Sequence, residues 1–273
     1  MTAAARAIGS GSRRLGAYLG LAVLVALVIG LVAIGVLPEN RWAPFADARV
    51  WQFLGEGLWA TAQMGVAALV ASLILSVPLA LARLGAPRPL RVVVVAWIEL
   101  VRATPVLALL MGILLYLPRT GLNLPPIWAA TLGLTIYTSA VLAEIVRAGI
   151  VSIPRGEVEA ARSLGLSYAA TMRLVILPQA LARMTPAMVS QLITLVKDTS
   201  LASIIAVPEL LGFARSTFTF YGNPVETLFV VACIFFVICY TLSRISRRLE
   251  LSRPRDVTPL VLGEEDLQPV ARP

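Results

Sequence analysis

The residues in this sequence whose types could do chemistry include two adjacent charges, Lys197 and Asp198, in an otherwise uncharged stretch. At membrane depth each charge costs about 2.5–3.5 kcal/mol, so each needs a partner or water. Adjacent helical residues point about 100° apart, so these two charges satisfy each other poorly. Gln191 and Thr194 share a helical face with Asp198 and extend its polar surface. Two interpretations stay open: structural ion pairs with other helices, or a hydrated path for a solute lined by Gln191, Thr194, Lys197, Asp198, Thr199 and Ser200.

Two further acid–base pairs are spaced for contact on a helix. Glu99 precedes Arg102, and Glu144 precedes Arg147, each by three residues. Residues at this spacing are neighbours on a helix surface, so each pair predicts a salt bridge near a helix end. The alternative is that both pairs belong to a cytoplasmic gate.

The composition removes several kinds of chemistry. The chain has no histidine, so it lacks the usual proton switch near neutral pH and any histidine-based metal site or triad. Its two cysteines, Cys233 and Cys239, lie in one apolar stretch and are expected to pack as small hydrophobic residues. The sequence therefore predicts no catalytic residue, no metal site and no cofactor, and we expect the protein not to be an enzyme.

Apolar runs dominate the 273 residues, of which 58% are hydrophobic and only 14% are charged. A soluble domain carries roughly a quarter charged residues, so the composition is typical of a membrane protein. The net charge of +8 comes from basic residues between the apolar runs, which indicates lipid headgroups rather than nucleic acid. About six membrane spans are predicted, at residues 15–37, 57–82, 92–118, 120–143, 184–208 and 226–243.

The two ends of the chain differ in character. The uncharged run 15–37 follows three arginines and resembles a signal peptide, but it is longer than the usual apolar region of about 7–15 residues. We expect a retained helix, although Ala33-Ile34-Gly35 leaves cleavage open. Residues 251–273 are rich in proline and acidic residues, which predicts a disordered cytoplasmic tail.

Arginine positions orient the predicted spans. Six spans place both termini on one side of the membrane, together with most of the arginines. Basic residues accumulate on the cytoplasmic side, so both termini are predicted to be cytoplasmic. The arginines left on the opposite side are Arg41, Arg49, Arg119 and Arg215.

The polar segment at about 154–179 reads as two short helices. The first begins after Pro154 and ends at Gly165, and Ser167 is a plausible N-cap for the second, which is expected to stop before Pro178. An apolar edge on the first helix is formed by Val158, Ala161 and Leu164. That edge suits either a groove on another protein or packing on the chain's own bundle, and physical reasoning does not separate the two.

The same segment carries a motif. EAARSLG followed by VILPQA resembles the EAA loop of ATP-binding cassette import permeases, with Val175 where isoleucine is usual. In that family the loop forms a coupling helix that docks into the ATPase subunit. The resemblance assigns this coupling role to Glu159, Ala160, Ala161, Leu164 and Gly165.

Three other stretches resemble the polar amino-acid branch of the family. They are IELVRATPVL (98–107), where Ala103 replaces a usual glycine, SAVLAEIVRAGIVSIPRG (139–156) and LVKDTSLASIIAVPEL (195–210). The resemblance covers about 57–250, a core permease domain preceded by residues 1–56 with one extra helix and an extracytoplasmic segment. WAPFADARVW (42–51) and the extra helix resemble the longer permease of glutamate-type uptake systems.

The resemblance implies an all-α membrane protein with the type I importer permease (MetI-like) fold in a prokaryotic inner membrane. It implies ATPase subunits, a second and different permease, an extracytoplasmic solute-binding protein and an amino-acid substrate. The sequence has no G-x-x-x-x-G-K-[ST] motif, so ATP hydrolysis is expected on another chain.

Two other classes of protein compete with this interpretation. An ion-coupled secondary amino-acid transporter would need coupling groups inside the membrane, where only Lys197 and Asp198 are available. A membrane-embedded enzyme would need a nucleophile or a metal motif, and the sequence has neither.

Overall fold

The computed structural model describes residues 38–251, together with residues 26, 29 and 30. The predicted first span 15–37 and the predicted tail therefore lie almost wholly outside the described residues. Within them every regular element is helical, as the sequence predicted. The helices are α1 (Ala48–Gly85), α2 (Arg88–Ala103), α3 (Val106–Tyr116), α4 (Pro126–Val151), α5 (Arg155–Ser163), α6 (Tyr168–Ile205), α7 (Leu210–Tyr221) and α8 (Pro224–Leu251).

The predicted third span 92–118 is not one straight helix. Helices α2 and α3 together are apolar enough to cross a membrane, but they meet at 105°. Pro105 follows the bend and disfavours helical geometry at Thr104, whose backbone is extended (φ −82°, ψ 129°). The described residues thus hold four helices long and apolar enough to span a membrane, α1, α4, α6 and α8, or five if the bent pair is one span.

Helix α4 lies at the centre of the bundle. It packs against α1, α2, α3 and α6, and small residues such as Ala130, Gly133 and Ala140 let those helices approach closely. A Cβ atom on Gly133 would lie only 2.6 Å from Leu110 Cδ2 of α3. The predicted fourth span, 120–143, is shifted because Pro125 and Pro126 begin the helix later, and it runs on to Val151.

Helix α6 begins earlier than the predicted fifth span 184–208. The prediction that a separate short helix stops before Pro178 is wrong. The chain continues through a π-helical turn, Met172–Ile176, in which the Leu177 N–H donates to the Met172 carbonyl. This local change of hydrogen bonding accommodates Pro178, which has no N–H to donate.

The end of the bundle that is predicted to be extracytoplasmic is covered by α7 and by a 3₁₀ segment, Glu39–Ala46. Val50 and Leu54 of α1 pack there against Leu210 and Ala214 of α7 and Val231 of α8. Gly57 permits the close contact between α1 and α7, because a Cβ atom there would lie 2.9 Å from Phe213 Cβ.

We predict that Gly57→Val destabilises the protein by about 1–3 kcal/mol, as overpacked cores do. Gly55→Val is the matched control on the same helix, since a Cβ atom at Gly55 meets nothing within 4 Å. Thermal unfolding in detergent should show a lower Tm for the first variant alone. Equal melting temperatures would contradict the α1–α7 packing.

Candidate coupling and transport sites

Helix α5 carries most of the residues assigned to coupling. Its C-terminus is fixed by two backbone hydrogen bonds, from Gly165 N–H to the Arg162 carbonyl (2.9 Å) and from Leu166 N–H to the Ala161 carbonyl (3.2 Å). Gly165 has φ +76°, the left-handed conformation that this termination requires and that glycine adopts without strain. Ser167 caps the next helix by accepting from Ala170 N–H at 3.3 Å. The predictions that Gly165 ends the first short helix and that Ser167 caps the second are confirmed.

The helix is fastened to the bundle on one side. Gln179 Nε2 donates to Glu157 Oε2 at 3.2 Å, and Arg183 Nη1 donates to the Ser152 carbonyl at 2.6 Å. Val158 packs on the core around α4, and Ala161 is 3% exposed. One face of α5 therefore packs on the chain's own bundle.

The opposite face of α5 is open. Glu159, Ala160 and Gly165 are exposed, and the Leu164 side chain is 82% exposed although it is apolar. The apolar edge predicted from sequence is thus divided: Val158 and Ala161 face inward, and Leu164 faces outward. Four of the five residues assigned to coupling are accessible to another protein.

The polar residues predicted to line a path, here called the polar stripe (Gln191, Thr194, Lys197, Asp198, Thr199 and Ser200), lie along α6 and differ in exposure. Thr194 and Lys197 are exposed, Gln191, Asp198 and Ser200 are half-buried, and Thr199 is buried. The hydroxyls of Thr194, Thr199 and Ser200 donate to carbonyls of their own helix, at 3.1, 2.6 and 2.7 Å.

Lys197 and Asp198 belong to no salt bridge found within residues 38–251. Among the described residues neither Lys197 nor Asp198 forms an ion pair, and the buried Gln191 Nε2 has no hydrogen-bond partner. A structural ion pair inside this part of the chain is therefore absent. The groups remain available to water, a solute or a neighbouring chain.

A second polar site joins three helices near the predicted cytoplasmic face. Arg83 of α1 lies 3.1 Å from Glu99 of α2 and 3.1 Å from Glu144 of α4. Arg102 lies 3.9 Å from Glu99, and Arg147 Nε donates to Glu144 Oε1 at 2.9 Å. Both predicted pairs are present, and Arg83 connects them into one group, here called the cytoplasmic ion-pair cluster: Arg83, Glu99, Arg102, Glu144 and Arg147.

Sequence reasoning missed Arg83 as a site residue. In the sequence Arg83 is one of many arginines near span ends, and the residues that contact it, Glu99 and Glu144, lie on other helices. No local pattern of charges therefore marks it. Its position directly after the uncharged run 57–82, in the last turn of α1, was the available signal.

Sequence reasoning also missed two buried carboxylates, Glu209 and Glu226, near the end of the bundle that carries α7. Glu209 caps α7 by accepting from Gly212 N–H at 2.8 Å, and the Thr61 hydroxyl lies 3.4 Å from its other oxygen. Burial raises the pKa of Glu209. Glu226 is fully buried, and neither of its oxygens has a hydrogen-bond partner in the described part of the chain.

The sequence of most of these helices matches a known family. Residues 72–252 match the model of the binding-protein-dependent transport system inner membrane component. The chain belongs to this family. The all-α importer permease fold predicted from sequence is confirmed.

Individual relatives narrow the assignment. The glutamate transport system permease protein GluD of Corynebacterium glutamicum is 36% identical over 81% of this chain and 84% of its own length. The probable glutamine permease GlnP of Bacillus subtilis is 44% identical over 56% of this chain and 72% of its own. A crystal structure of an amino acid ABC transporter has a TM-score of 0.72 at 31% identity, covering 76% of this chain and 97% of that one. This permease is thus a multi-pass membrane subunit of the polar amino-acid branch.

We predict that Arg83→Gln lowers the stability of this permease by about 1 kcal/mol, because it removes the only cation that contacts both carboxylates in the cluster. Arg102→Gln is the matched control. We expect a smaller effect from it, because the contact between Arg102 and Glu99 is longer and more exposed. The melting temperatures of the two variants in detergent, compared with that of the unchanged protein, measure both losses of stability. An equal loss in the two variants would contradict the connecting role of Arg83.

Proposed function

We propose that this chain is the translocating permease of an importer for glutamate or a related acidic or amide amino acid. Import is driven by a separate ATPase that binds the open face of α5. The observation that carries the proposal is the division of α5 into a face packed on the bundle and an exposed face with Leu164. A rigidly fastened helix transmits the movement of a bound partner to the membrane helices.

The exposed apolar residues support an ATPase contact at this place. Tyr168 at the start of α6 is 69% exposed and lies just after Leu164, which is 82% exposed. Exposed apolar side chains beside a turn of fixed geometry are typical anchors for a protein partner. Both termini and this surface are then cytoplasmic, and ATP is hydrolysed on the partner.

The polar stripe on α6 supports a path for an anionic or amide solute. Lys197 offers a cation, Asp198 an anion for an amino group, and Gln191 an unpartnered amide. A second permease, different from this one, would complete the path on the exposed side of the stripe. An extracytoplasmic solute-binding protein would deliver the substrate, and the cytoplasmic ion-pair cluster would act as the gate.

An ion-coupled secondary transporter is the alternative, and it too would use Lys197 and Asp198. It would not need an ATPase. Uptake that stops when the partner ATPase loses its phosphate-binding lysine supports the importer, and unchanged uptake would overturn it.

We predict that Gly165→Val leaves the permease in the membrane but weakens ATPase co-purification and lowers uptake at least about tenfold. A branched residue is strained at φ +76° by about 1 kcal/mol or more, so the turn shifts and α5 no longer presents the same face. Gly156→Val is the control, because Gly156 is on the same helix, has open space around it and no positive φ. Normal uptake by the Gly165 variant would contradict the coupling role.

Substrate class is tested by competition. Radiolabelled glutamate uptake into vesicles, with the cognate binding protein, should be inhibited by unlabelled glutamate, aspartate, glutamine or asparagine. Inhibition only by cationic amino acids or by sugars would show that the proposed substrate is wrong while leaving the importer assignment intact.

Lys197→Met and Asp198→Asn test the path. With no ion pair to break among the described residues, both variants should assemble normally, but uptake should fall about tenfold or more as a charge-assisted contact to the solute is lost. Arg119→Met removes a cation outside the stripe and should transport normally. Loss of assembly by both stripe variants would favour a structural role instead.

A further inference from the structure

A groove between α1 and α8 opens on the outside of the helix bundle. Its wall contains Leu58 and Trp51 of α1 and Phe229, Cys233 and Val237 of α8, and every residue lining it is apolar. The one N–H group on these side chains, the indole N–H of Trp51, already donates a hydrogen bond to the Phe45 carbonyl at 2.8 Å. The groove therefore offers no hydrogen bond and suits an apolar occupant.

The segment that precedes α1, Glu39–Ala46, contacts one end of this groove. Asn223 Nδ2 donates to the Arg41 carbonyl at 3.0 Å, next to the beginning of α8. The Trp42 ring packs on Phe229 with centroids 6.0 Å apart, and Phe45 packs on Trp51 at the same distance. Phe229 and Trp51 are both groove residues, so Trp42 and Phe45, which follow Pro38 closely in sequence, lie beside the groove.

The sequence that precedes Pro38 has the length and chemistry of an occupant. Residues 15–37 carry no charge and would span about 35 Å as a helix. The three described positions in this run, Ala26, Ile29 and Gly30, are helical and all exposed, and they share one helical face. By helical spacing, Leu24, Val28 and Leu31 would lie on the opposite face of such a helix.

We propose that the apolar segment 15–37 packs as a helix in the groove of its own chain, with Leu24, Val28 and Leu31 toward α1 and α8. The distances of the facing residues from the ends of the two helices support this arrangement. Cys233 lies about 14 Å along α8 from Pro224, and Val28 lies about 15 Å along the segment from Pro38. Val28 is then level with Cys233, whereas Ala26 points away from it. This placement depends on neither the substrate nor the ATPase.

The native cysteine provides the test. In full-length protein carrying Cys239→Ala, Cys233 is the only thiol, and Val28→Cys adds one opposite it. Copper phenanthroline oxidation in membranes should consume both thiols within one chain, as measured by a maleimide-polyethylene glycol gel shift after denaturation. Ala26→Cys in the same background is the matched control, and its disulfide should form at least about tenfold more slowly.

Two further variants make the outcome decisive. Val28→Cys combined with Cys233→Ala should lose the reaction, which identifies the partner thiol. A short bifunctional thiol cross-linker, tested also on Leu24→Cys and Leu31→Cys, covers pairs whose geometry does not suit a direct disulfide. Disulfide-linked dimers from Val28→Cys would place a second copy in the groove and overturn the proposal. No intrachain product from any of the three positions, or equal reaction of Ala26→Cys, would overturn it as well.

Discussion

Close packing around helix α4 is the constraint on which the rest of this bundle depends. In hydrocarbon there is no hydrophobic force between helices, so they associate through van der Waals contact and internal hydrogen bonds. Gly133 and Gly149 leave room for Leu110 of α3 and Met184 of α6, whose atoms would lie 2.6 and 3.1 Å from an added Cβ. The Ser72 hydroxyl of α1 donates to the Thr135 carbonyl of α4 at 3.2 Å. Four helices are thereby held in register by one small-residue helix.

This packing links the two ends of the molecule. Helix α4 ends at Val151, three residues before the Pro154 N-cap of α5, so α5 directly follows the most closely packed helix of the bundle. Helix α6 carries the polar stripe and is tied to α5 by the Gln179–Glu157 hydrogen bond. Gln179 and the charged residues Lys197 and Asp198 lie on this one helix, after the π-helical turn at Met172–Ile176. The fold provides a continuous mechanical connection between the proposed ATPase surface and the proposed path.

Local chemistry made parts of this structure predictable from sequence. The positive φ of Gly165 and the cap at Ser167 depend on neighbouring residues, and the ion pairs at Glu99–Arg102 and Glu144–Arg147 depend on helical spacing. The bend at Thr104–Pro105 and the π-helical turn before Pro178 were missed, because a proline can end, bend or widen a helix and tertiary packing selects among these. Arg83, Glu209 and Glu226 were missed for another reason. Their environments are assembled from helices distant in sequence, which no local pattern encodes.

The central claim is that the open face of α5 binds the ATPase, and site-specific photo-cross-linking in intact cells tests it most directly. A benzophenone amino acid at Ala160 or Leu164 should form an adduct with a protein that mass spectrometry identifies as an ATPase with a phosphate-binding loop. The same amino acid at Leu122, which is 51% exposed in the loop before α4, is the control and should form no such adduct. Adducts with the ATPase from Leu122, or none from either α5 position in assembled transporter, would contradict the account.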